Sequence, residues 1–139
     1  MQVSLNEKII ENESNNTISV FDFINYRDFL RAYYHDQKQK NPFFSFRYFA
    51  LKAKINSSGF YKNVMDGKRS LGRSLIFKFT TTLHLTPKEA EYFENMVYQN
   101  DAKSEGEKNV YLNRMRELRK NNESRLPVVN DLWNQEAKF

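Results

Sequence analysis

At 139 residues, with 40% apolar and 15% aromatic side chains, the chain is long enough to bury a core without staples and too apolar to be disordered. It has no cysteine, which excludes a disulfide framework, a thiolate-ligated metal centre and cysteine-dependent nucleophilic catalysis. The net charge of +5 is unevenly spread: residues 44–79 carry Arg47, Lys52, Lys54, Lys62, Lys68, Arg69, Arg73 and Lys78 against one acid, Asp66, a local +7 that leaves −2 for the rest.

Residues 1–19 are polar and rich in Asn, Ser and Glu without a sustained period, so a mobile N-terminal arm is expected there. They lack the basic region and apolar run of a signal peptide, and no window approaches the roughly 20 apolar residues of a membrane span. Cytoplasm, with no membrane partner, is the expected location. Asn25 is placed to cap a helix over 26–40, on which Tyr26, Phe29, Leu30, Tyr33 and Tyr34 share a face. Asn41-Pro42 ends it, because the residue before proline is driven out of the helical region. Ser45 can cap a short second helix with Phe46, Phe49, Ala50 and Ala53 inward. After the turn Ile55-Asn56-Ser57, a third helix over about 58–66 would bury Phe60 and Val64, with Gly67 at its C′ position.

A fourth helix, capped by Ser70 or Gly72, would bury Leu71, Leu75, Ile76, Phe79 and Leu83. Thr86-Pro87-Lys88-Glu89 combines a capping box with proline at the first helical position and opens a fifth helix whose stripe is Ala90, Phe93 and Val97. Ser104-Glu105-Gly106-Glu107 is a second capping box, starting a sixth helix with Tyr111, Met115 and Leu118 inward and an end near Asn121-Asn122. Residues 122–139 have no clear period and form either a tail or the start of a second domain. No segment alternates as a strand does. The expected fold is all-α, a bundle of five to six helices over 20–121.

Helices two and three, joined by a three-residue turn and carrying the +7, match a helix-turn-helix. Such a unit needs a small residue fifth, and apolar residues tenth and fifteenth; Ala50, Ile55 and Phe60 supply them. Two positions depart from the pattern. The ninth, commonly glycine because the turn needs a positive φ, is Lys54, and the usually apolar eighteenth is Asn63 with Val64 beside it.

Asn25-Tyr26-Arg27-Asp28-Phe29-Leu30, Phe44-Ser45-Phe46-Arg47-Tyr48-Phe49-Ala50, Asp66-Gly67-Lys68-Arg69-Ser70-Leu71 and Lys88-Glu89-Ala90-Glu91-Tyr92-Phe93 together resemble a bacterial family of hypothetical regulators. The N-terminal half of that family is a lambda-repressor-like helix-turn-helix, and longer members add a C-terminal domain of unknown function; against them this chain is expected to be either a member without that domain or a truncated relative. The resemblance covers about residues 20–120 and implies a sequence-specific DNA-binding transcriptional regulator. On it, Ser57, Ser58, Tyr61 and Lys62 would face base edges in the major groove. Arg47, Lys52, Lys68, Arg69 and Arg73 would neutralise phosphates. Double-stranded DNA is then the expected partner, with a homodimer second, because such domains commonly bind as two-fold pairs.

Enzymatic chemistry finds little support. His35 and His84 lie on separate helices without a readable carboxylate partner, and Gly67-Lys68-Arg69-Ser70 lacks the upstream glycine of a phosphate loop, where Lys62 stands. No cofactor, metal or small-molecule substrate is implied. The alternative class is a helical interaction or dimerisation module, since 21 aromatic residues exceed the needs of a small core. Some of Tyr33, Tyr34, Phe43, Phe44, Tyr48, Tyr92, Tyr98 and Trp133 would then form an exposed patch.

Overall fold

A computed structural model describes residues 18–122; the expectations for 1–17 and for 123–139, Trp133 among them, lie outside the described residues. Among the described residues, six α-helices follow a 3₁₀ turn at Val20–Asp22: α1 Tyr26–Lys40, α2 Phe46–Ala53, α3 Phe60–Met65, α4 Arg73–Thr82, α5 Pro87–Asp101 and α6 Glu105–Lys120. There is no strand among the described residues. None of the helices is long and apolar enough to cross a membrane.

The helix starts follow local chemistry. The Asn25 side chain accepts from the Arg27 N–H at 2.8 Å, and Ser45 Oγ accepts from the Tyr48 N–H at 3.0 Å, each satisfying an N–H that the helix itself cannot pair. At α5 both arms of the capping box form, Thr86 with Glu89 and Glu89 back to Thr86. The second box is half as expected. Ser104 caps Glu107, but the Glu107 carboxylate reaches one residue further back, to the Lys103 N–H at 3.1 Å. Residues 18 and 19, assigned above to the arm, belong to the folded body: Ile18 packs against the core and Ser19 caps the 3₁₀ turn.

The core has two aromatic centres. In one, Phe93 of α5 meets Tyr26 and Phe29 of α1, while Tyr92 meets Phe21. In the other, Phe49 of α2, Tyr61 of α3 and Phe79 of α4 pack with centroids 4.8–5.7 Å apart, separations at which offset and edge-on rings attract. Tyr34 and Phe46, stacked at 4.0 Å, join the two regions together with Phe44. Aromatic content thus goes largely inward: Tyr33, Phe44 and Tyr92 are buried, whereas Phe43, Tyr48 and Phe77 stay exposed.

The buried face of α5 is wider than its expected stripe. Phe93 and Val97 are buried, Ala90 only half so, and Tyr92, Asn95, Met96 and Gln99 are buried as well. The reason is that α5 is covered from two sides, by α6 and by α1 with the 3₁₀ turn. Its polar groups are spent there: the Tyr92 hydroxyl donates to the Phe23 carbonyl at 2.7 Å and the Gln99 amide to that of Ile24 at 2.8 Å. These bonds tie the lead-in of α1 to a helix some seventy residues later.

Candidate nucleic-acid interface

The six residues of α3 cannot hold a helix alone, since nucleation fixes several residues for one hydrogen bond. Its N-cap, Gly59, supplies no side-chain bond. Packing holds it instead: Phe60, Tyr61 and Val64 are all buried, and Tyr61 donates its hydroxyl to the Leu30 carbonyl of α1 at 2.6 Å. Tyr61 is therefore a core residue, and its assignment to a base edge is corrected. Burial disfavours the phenolate and drives its pKa well above the ordinary value.

At the other end of α3, two arginines of α1 bind carbonyls of its last turn and of the segment that follows. Arg27 donates to the Val64 carbonyl and, at 3.0 Å, to that of Arg69; Arg31 donates to the Met65 carbonyl at 3.2 Å. Sequence reasoning did not assign them this role. The available signal was modest: two arginines four residues apart, hence on one face of α1, next to the buried positions of that helix. Gly67 takes its expected positive φ, 83°, and the N–H groups of Lys68 and Arg69 both return to the Asn63 carbonyl. The chain so leaves α3 with Lys68 and Arg69 exposed beside it, and the Arg69 guanidinium lies 5.0 Å from the Phe60 ring centre.

Ser57 and Ser58 are exposed, but they precede α3, which begins two residues later than expected. Lys62 is exposed on α3 and reaches Asp66 at 2.6 Å, one turn on. That hydrogen bond, aided by Arg31 and Lys68, holds the Asp66 carboxyl below the usual carboxylate range. Lys54 adopts the left-handed backbone the turn requires (φ 60°), with its carbonyl accepting from Lys78 at 3.1 Å.

Ser57, Ser58, Lys62, Lys68 and Arg69 are thus brought together around α3, and Arg47 is exposed on the first turn of neighbouring α2. Two other expected phosphate contacts are not part of that group. Arg73 sits 5.4 Å from the Tyr98 ring centre, against α5. Lys52 lies over Tyr48 and lines a groove of about 390 Å³ with Tyr33, Gln37, Thr81 and His84, none of them on α3. Both histidines are exposed, and His84 takes the left-handed position after α4 (φ 60°). No protein-family model, curated protein or solved structure is significantly similar to this chain.

Proposed function

We propose that α2, its turn and α3 form a lambda-repressor-like helix-turn-helix, and that the chain is a sequence-specific DNA-binding transcriptional regulator. One observation carries this reading: a short helix anchored by three core side chains and clasped at its end by Arg27 and Arg31 presents Lys62 outward, with Ser57 and Ser58 exposed before it and Lys68 and Arg69 exposed in the turn that follows. Rigid anchorage suits a helix that must hold register on bases, and the surrounding cations suit a polyanion. Ser57, Ser58 and Lys62 are assigned to base edges; Lys68, Arg69 and Arg47 to phosphates. Lys62 exchanges Asp66 for the duplex on binding, at small cost because the pair is solvent-exposed.

The test is selection of a duplex site from random sequence, followed by anisotropy titrations across salt concentration. Lys62→Ala should lose about 1–3 kcal/mol on the selected site and much less on scrambled DNA. Lys68→Ala and Arg69→Ala should weaken both alike and flatten the log-affinity against log-salt slope by about one unit each. No binding at low salt, or Lys62→Ala without effect, overturns the assignment. A second reading, a helical interaction module, draws on the exposure of Phe43 (85%), Leu51 (71%) and Phe77 (72%), and complete absence of duplex binding would select it.

A further inference from the structure

Phe77 stands on the outer face of α4, 72% exposed, at the lip of a groove of about 250 Å³ between α4 and α5. The walls of that groove are Ile76 and Thr80 on one side, Pro87 and Ala90 on the other. Charges of opposite sign stand on opposite walls: Arg73 on α4, Glu91 and Glu94 on α5. Arg73 and Glu94 also share a height along the groove, since Arg73 lies over the Tyr98 ring and Glu94 accepts from the Tyr98 hydroxyl at 2.9 Å. Among the described residues, Arg73 forms no ion pair with either carboxylate.

We propose that this groove is the contact surface for a second copy of the same chain. An isologous two-fold contact requires a surface complementary to itself, carrying both knob and hole and both signs of charge. Here a two-fold axis along the groove sets α4 of each copy over α5 of the other at equal height. Phe77 of one copy then enters the Pro87–Ala90 wall of the second, and Arg73 meets Glu91 and Glu94 of the second. Each contact occurs twice. Eight residues line the groove, fewer than the roughly 20–30 a side of a standard stable interface, so the dimer should dissociate on dilution through the micromolar range. The proposal is independent of DNA binding.

Sedimentation equilibrium of the full chain without DNA tests it. Wild type should show a monomer–dimer equilibrium, and Phe77→Glu should weaken it by about tenfold or more with unchanged helical circular dichroism, because the side chain is outside the core. Arg73→Glu and the pair Glu91→Arg with Glu94→Arg should each weaken the dimer, and combining all three should restore it. Phe43→Glu and Leu51→Glu, at two other exposed apolar positions, should change nothing. A wild type that stays monomeric at high micromolar concentration overturns the proposal. So does a dimer indifferent to Phe77→Glu, a failure of the triple variant to recover, or a dimer broken by Phe43→Glu or Leu51→Glu instead. With no duplex present, any of these leaves the DNA assignment standing, and loss of duplex binding leaves the dimer result standing.

Discussion

Lys54 holds φ 60° and ψ 46° at the end of α2, a conformation that costs a side chain with a Cβ roughly 1–2 kcal/mol. Its surroundings over-determine it: the next N–H, of Ile55, returns to the Ala50 carbonyl at 2.9 Å, and the Lys78 ammonium donates to the Lys54 carbonyl. Lys54→Gly should therefore raise stability by about 1 kcal/mol, less the entropy glycine gains in the unfolded chain, read as a higher urea midpoint at constant slope. The position was legible in the sequence because the turn demands positive φ there. Tyr61 was not. Spacing of i and i+4 selects Phe60 and Val64 for a helix covered on one face, but α3 is wedged against α1, α2 and α4 at once, so a third position turns inward too.

Helix boundaries were legible where the stop and start chemistry is local. Asn25, Ser45 and Thr86 cap within three residues, and α1 runs from Tyr26 to Lys40 as its caps and the following Asn41-Pro42 imply. The clasp on α3 was not, because its donors and acceptors lie 34 to 42 residues apart, beyond any spacing rule. The clasp makes α3 dependent on α1. Arg27→Ala leaves carbonyls at the end of α3 without a charged donor and should cost about 1–2 kcal/mol. The loss should be local first: amide hydrogen exchange should accelerate in α3 more than in α4, and duplex discrimination should fall before global stability does. Uniform acceleration in all helices would contradict a positioning role.

Over the whole molecule, the large number of tyrosines inside has a titration consequence. Burial pushes Tyr26 and Tyr33 up to about 12 and raises Tyr61 and Tyr92 as well, from an ordinary value of 10.0. A phenol whose folded pKa is raised favours the fold fully below the unfolded value; above it the unfolded chain ionises first, and stability falls as pH rises. The protein should therefore hold its stability through neutral pH and lose it cooperatively above about pH 10. Tyrosinate absorbance from these four side chains should appear together with loss of helical circular dichroism. Smooth ionisation of all tyrosines while helicity persists would contradict their burial.

The bonds from Tyr92 and Gln99 back to Phe23 and Ile24 hold the two ends of the stretch between them independently of its covalent path. Gly67, Lys68, Arg69 and Ser70, midway along that stretch, are all exposed. A tryptic nick after Lys68 or Arg69 would part α1–α3 from α4–α6, yet each piece keeps part of both aromatic centres and the seam still joins them. The nicked protein should elute from gel filtration as one species and resolve into two only under denaturing conditions. The same split, made at the level of the gene, should give two fragments that reassemble when coexpressed.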